Sequence, residues 1–294
     1  MAEPIAKREP PLRPEILRQT RDVSGLGAVE RPLTAAERLM NQAGVRRSLI
    51  LIGLAAAWQL YGQYVGNNLI LPTFFEVLEA LWEVSRSGEL PDRVLTSLRV
   101  LTIGYTAGIA LAAVLTTLAV STRLGADLLS TLTAMFNPLP AIALLPLALL
   151  WFGLGVGSLV FVLIHSVLWA VALNTHSGFS SVPETLRMAG QNMGLRGIPF
   201  VARILVPAAF PSILTGLKIG WAFAWRTLIA AELVFGVSSR SGGLGWFIFE
   251  KRNQLETASV FAGLLAVIVI GLVVESVVFR SIERRTVRRW GMQR

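Results

Sequence analysis

Six apolar runs, near residues 47–66, 94–120, 127–152, 156–176, 210–236 and 257–280, dominate the sequence. Each reaches or approaches the roughly 20 residues that a helix needs to cross the hydrocarbon core of a bilayer. Hydrophobic residues fill 53% of the 294 positions and charged residues only 15%, too little charge to clothe a soluble chain of this length. The pattern predicts an all-α membrane protein with six transmembrane helices between residues 47 and 280. Residues 1–46 form a polar, poorly ordered arm carrying Pro4, Pro10, Pro11, Pro14 and Pro32, with a short helix near Thr34–Asn41. The arm is too long and too mixed in charge for a signal-peptide flank, so the first run reads as an uncleaved span. The sequence has no cysteine, which excludes disulfides, thiolate chemistry and cysteine metal sites. It shows no internal repeat.

Basic residues set the orientation. The segments between the runs near 67–94 and 237–256 hold only Arg86, Arg93, Arg240, Lys251 and Arg252, whereas most other Lys and Arg lie before residue 48, between 177 and 206, or after 279. Cytoplasmic loops favour Lys and Arg, so both termini are expected inside. Residues 281–294 then form a basic cytoplasmic tail beside anionic lipid. The net charge of +9 is explained by these flanks, and no nucleic acid is expected as a partner.

Residues 177–206 become the cytoplasmic loop between spans four and five. Ser181-Val-Pro-Glu184 has the S-x-x-E form of a capping box. It predicts a short helix running to about Met193 and ending at Gly194. Pro199 could open a second short helix, and Pro207 and Pro211 mark the bend into span five.

Within the spans, prolines and charges need an account. Pro138, Pro140 and Pro146 fall in span three, where freed carbonyls must be satisfied by protein or water; a helix lining a cavity and a packing kink both fit. Gly153, Gly155 and Gly157 mark the turn between spans three and four. His165 and His176 lack a second histidine or carboxylate at ligand spacing, so no metal is expected and they read as structural or pathway-lining. A charge near the bilayer centre is costly unless paired or hydrated. Depth suggests a buried Arg99–Glu232 pair, and a second between Lys218 and Glu275. Arg226, near the middle of span five, is left without a carboxylate. It either caps carbonyls freed by the prolines or faces a central pathway.

Gly194, nine residues, then Ile204-Leu-Val-Pro207 resembles the core of the "EAA" loop of bacterial ABC-importer permeases. The match departs at Met188-Ala189-Gly190, where the triplet would stand, and at Val206, where that family has leucine. The remaining motifs resemble the nitrate/sulfonate/taurine-type branch: LP at Leu71-Pro72, SLRV at Ser97–Val100, LPLALLWFGLG at Leu145–Gly155, the run from Val206 to Glu232, GGLG at Gly242–Gly245, and IERR before Trp290. The resemblance covers about residues 48–290.

It implies the six-span architecture of a type I importer permease in the bacterial cytoplasmic (inner) membrane. A second copy of the chain completes the pathway, two ATP-binding cassette subunits sit inside, and a periplasmic or lipid-anchored binding protein delivers a small anionic solute. By the same resemblance the ATPase-coupling loop carries Glu184, Arg187, Ala189, Gly190, Gly194, Leu195, Arg196, Phe200, Arg203 and Pro207. Arg226, Pro138, Pro140 and Asn174 become the expected pathway residues, since an anion-transporting branch favours the pathway role for Arg226. No cofactor is expected in this chain, with ATP and Mg held by the partner. Its lysines, Lys7, Lys218 and Lys251, are followed by Arg, Ile and Arg, so no phosphate-cradling G-K-[ST] loop is present. The competing class is a self-sufficient secondary carrier, which needs an ion-coupling carboxylate and usually a repeat; Glu232 and Glu275 keep it open.

Overall fold

A computed structural model describes residues 34–235, 242–289 and 291. The described residues divide into two compact units, one ending at residue 54 and the other beginning at residue 55. In the first unit, α1 (Ala35–Asn41) opens on a capping box, with the Thr34 side chain accepting from the Glu37 N–H and the Glu37 carboxylate accepting from the Thr34 N–H. Arg46 Nη1 donates to the carbonyls of Met40 and Asn41 at 3.0 and 3.2 Å. This closes the turn into α2 (Ala43–Val65). The expected poorly ordered arm, through residue 33, lies outside the described residues.

The second unit continues through α3 (Phe74–Arg86), α4 (Glu89–Ser121), α5 (Arg123–Phe136), α6 (Ala141–Phe152), α7 (Val156–Ser180), α8 (Glu184–Asn192), α9 (Gly197–Ala208), α10 (Phe210–Phe235), α11 (Leu244–Asn253) and α12 (Thr257–Arg285). Among the described residues there is no strand. Helices α2, α4, α7 and α12 are long and apolar enough to cross a bilayer, and the count rises to six when the bent pairs α5–α6 and α9–α10 each count as one span.

Helix α7 is the axis of this unit. It packs against α4 on one side and α10 on the other, and 61% of its most apolar stretch is buried. Lipid offers no hydrophobic drive for helices to associate, so close backbone approach through small residues takes over. Helix α4 supplies Gly104, Gly108, Ala112 and Thr116 at four-residue spacing, all buried. A Cβ on Gly104 would lie 2.5 Å from Leu163, and one on Gly108 would lie 2.7 Å from Val167. That stripe is the contact surface.

Two sequence expectations change here. The run at 127–152 is not one straight span: α5 and α6 meet at 88°. Pro138 and Pro140 cannot donate ladder bonds, so the helix stops and restarts, and Pro146 sits in the first turn of the regular stretch Leu145–Phe152. The segments at 67–94 and 237–256 also hold helices of their own. Helix α3 begins at Thr73, which forms a capping box with Glu76, and buries Val77, Ala80 and Val84 on one face. Trp58 Nε1 donates to the Pro72 carbonyl at 3.1 Å and fixes the chain entering α3.

Candidate functional site

The bend between α5 and α6 opens a cavity of about 410 Å³ whose wall includes Asn137, Pro138 and Pro140 from the bend. Helix α7 contributes His165, Ser166 and Trp169, and α10 contributes Phe223, Arg226, Thr227 and Ala230. The spacing explains the grouping: residues three and four apart share a helix face. Ser166 Oγ donates to Thr227 Oγ1 at 2.9 Å, tying α7 to α10 across the cavity.

Arg226 is exposed to this space. Its Nε donates to the Ala222 carbonyl at 3.1 Å, one turn back, and the guanidinium lies 5.1 Å from the centroid of the Phe223 ring. Among the described residues no carboxylate lines the cavity. Of the four expected pathway residues, Arg226, Pro138 and Pro140 meet here and Asn174 does not. Asn174 Nδ2 donates to the Ala170 carbonyl at 2.8 Å, and its Cβ packs against Gly216.

Neither expected charge pair forms. Glu232 is 4% exposed and accepts the Ser97 hydroxyl, at 2.7 and 2.8 Å to its two oxygens, together with the Gly245 N–H at 2.8 Å. Ser97 Oγ accepts the Leu244 N–H at 2.8 Å. The carboxylate therefore caps the N-terminus of α11, where free N–H groups favour negative charge. Arg99 is exposed, because residues two apart point roughly 200° apart around a helix. The arginine that does reach α11 is Arg93, which donates to the Gly242 carbonyl at 3.1 Å and to Glu250 at 3.0 Å. Lys251 lies 3.5 Å from Glu89 and 3.1 Å from Glu256. Partial burial disfavours its charge, but these two acids outweigh that and hold its pKa above the ordinary lysine value. At the other end of α10, Lys218 donates to Glu283 at 2.7 Å, while Glu275 is exposed.

The elbow at 184–208 is a helix–turn–helix. The expected capping box at Ser181 does not form: α8 starts after Pro183 without a side-chain cap, and Ser181 Oγ donates back to the Gly178 carbonyl. Arg187 instead holds the junction, donating to the Phe179 and Val182 carbonyls. The other end forms as expected. Gly194, at φ +77°, donates to the Gln191 carbonyl at 2.9 Å and Leu195 donates to the Gly190 carbonyl at 3.1 Å. Those two bonds make a Schellman motif. Gly190 is buried against Phe200 and Ile204, which folds α9 onto α8. Pro207 has no N–H for the carbonyl four residues back, and the helix before it widens to a π turn at Val201–Leu205. Helix α9 then meets α10 at 81°. Glu184, Ala189, Arg196, Arg203 and Pro207 are exposed on the elbow. Leu186, Met188, Met193 and Ile198 are exposed beside them, at 40%, 50%, 76% and 72%.

Sequence reasoning gives no site role to Ser97, Trp169 or Arg93, although Ser97 opens the SLRV motif. Trp169 carried a signal, since it follows His165 by one turn on the most buried span. The partners of Ser97 and Arg93 lie far along the chain and leave no local trace.

Comparison with known proteins agrees with this architecture. Residues 104–288 match the family described as binding-protein-dependent transport system inner membrane component. The chain is 32% identical to a Methanocaldococcus jannaschii protein named for ABC transporter permease function, over 74% of this chain and 82% of that one. It is 31% identical to an Escherichia coli protein named for aliphatic sulfonates transport, SsuC, over 75% and 82% of the two chains. It is 27% identical to the nitrate import permease protein NrtB of Synechocystis, over 79% and 85%. With α4 from Gly104 onward, the cavity, the elbow and α12 all inside the matched region, the chain belongs to the binding-protein-dependent transport system inner membrane component family.

Proposed function

We propose that this chain is the membrane-spanning subunit of an ATP-driven importer for a small anion of the sulfonate, nitrate or carboxylate kind. Two copies form the pathway in the cytoplasmic membrane of a bacterium, each with six spans and both termini inside. Two ATP-hydrolysing subunits dock on the elbows at 184–208, and a soluble binding protein delivers solute on the opposite face. The observation that carries this reading is Arg226, a cation without a carboxylate partner among the described residues, facing a cavity at a broken helix. A fixed guanidinium offers planar paired donors to an oxyanion. The exposed apolar and charged side chains of α8 and α9 suit a protein partner, and the relatives' names place them in sulfonate and nitrate transport. ATP-driven movement of the elbows would switch the pathway between two rigid-body states.

The test is reconstitution of the chain with its ATPase and binding protein in proteoliposomes, with labelled butanesulfonate, nitrate and taurine as solutes. Uptake of at least one anion that requires both ATP and the binding protein is expected. Uptake by the chain alone, driven by an ion gradient, would overturn the reading in favour of a secondary carrier.

A further inference from the structure

The cavity beside Arg226 holds hydrogen-bonding groups that the fold leaves unused. The indole nitrogen of Trp169 is buried without a hydrogen-bond partner among the described residues, and the buried ring nitrogens of His165 make no well-formed hydrogen bond, with the Phe136 backbone lying near them. Trp169 is 6% exposed. Buried polar atoms in folded proteins are nearly always bonded, so these nitrogens side by side call for an explanation. The side chains are held in place: the two rings meet edge to face at 6.1 Å, and Phe136 stacks on Trp169 at 5.8 Å. Arg226 adds a guanidinium that spends only its Nε on its own helix. Indole and guanidinium are donors only, and neutral imidazole brings one more N–H.

The rest of the wall fixes the kind of anion. Pro138, Ile142 and Phe223 give it an apolar face, and among the described residues no Asp or Glu lines it. Its volume of about 410 Å³ falls in the range of small-molecule sites and far exceeds the roughly 30 Å³ share of one water. A nitrate-sized ion would leave most of that apolar wall against water. A zwitterion such as taurine would bring an ammonium to a wall without a carboxylate.

We infer that this cavity is a binding subsite for an amphiphilic organic monoanion, its sulfonate or carboxylate head held by Arg226, Trp169 and His165 and its uncharged body on the apolar wall. The inference rests on the reading of the chain as an anion permease and narrows its substrate class. The test uses the permease–ATPase complex in lipid nanodiscs without the binding protein, with nanodiscs lacking the complex as the blank. Labelled butanesulfonate is bound at equilibrium and displaced by pentanoate, taurine or nitrate.

Saturable binding is expected, with taurine and nitrate at least tenfold weaker than butanesulfonate. Comparison with pentanoate identifies the preferred head. Arg226→Gln and Trp169→Phe should each weaken binding at least fivefold; the second keeps an aromatic ring to stack on Phe136 while removing the N–H and part of the indole's bulk. Size-exclusion elution shows whether each variant still assembles, and Trp169→Phe decides alone if Arg226→Gln does not. Binding undiminished in an assembled Trp169→Phe complex, equal affinity for taurine and butanesulfonate, or no saturable binding would overturn the subsite. ATP-driven uptake measured in parallel separates the two readings: uptake that persists without such binding refutes the subsite and leaves the permease reading standing.

Discussion

Glu232 shows how much a single buried carboxylate organises. Its oxygens receive the Ser97 hydroxyl and the Gly245 N–H, while Ser97 receives the Leu244 N–H. Removing the carboxylate strands donors that burial keeps from water, at about 1–3 kcal/mol for each. Glu232→Leu should therefore lower the unfolding midpoint of the purified protein, and Ser97→Ala should cost less in that background than it does alone, since both act on one network. Arg99→Leu should instead be additive with Glu232→Leu to within about 0.5 kcal/mol, as for sites without a shared partner. Strong coupling between Arg99 and Glu232 would show that the two do meet. Gly194 makes a second case. Its φ of +77° suits glycine, and a β-branched side chain there is strained by about 1 kcal/mol or more. Gly194→Val should lower the ratio of substrate-stimulated to basal ATP hydrolysis in the reconstituted complex. An unchanged ratio would mean that the elbow does not carry the signal.

At the scale of elements, the helices that matter most are those whose faces are locally encoded. The α8 terminus was legible because glycine at the left-handed position is a local requirement. The break in span three was legible as disruption, because proline acts on its own backbone; the 88° angle was not, since neighbouring helices set it. Helix α3 carried its signature in Thr73 and Glu76, yet its apolar face is narrow and hides among glutamates. Ion pairs are poorly legible in a sequence for a physical reason. Depth along a span says nothing about which way a side chain points, so Arg99 was matched with a carboxylate that Ser97 holds. Lys218 was likewise matched with Glu275 although Glu283 reaches it. Close helix contact was also missed, although Gly104 and Gly108 spell it out. Gly104→Leu should overpack α4 against Leu163 and cost about 1–3 kcal/mol. Leu163→Ala in the same chain should recover part of that loss, read as the unfolding midpoint of the double variant. No recovery would place the strain elsewhere.

For the molecule as a whole, topology is the measurement on which the functional reading turns. A reporter after Arg294 or within residues 184–200 should lie in the cytoplasm, and one within 74–90 or 238–250 should lie outside. An external elbow would rule out ATPase docking there. Helix α10 gives that arrangement a mechanical consequence. Its 26 residues make a rod of about 39 Å at 1.5 Å per residue. The elbow hangs from one end at 81°, Arg226 projects from the middle, and Glu232 grips α11 at the far end. A stiff rod carries torque along its length, so what the bend at Ala209 does not absorb arrives at Arg226 and Glu232 together. One lever can time both.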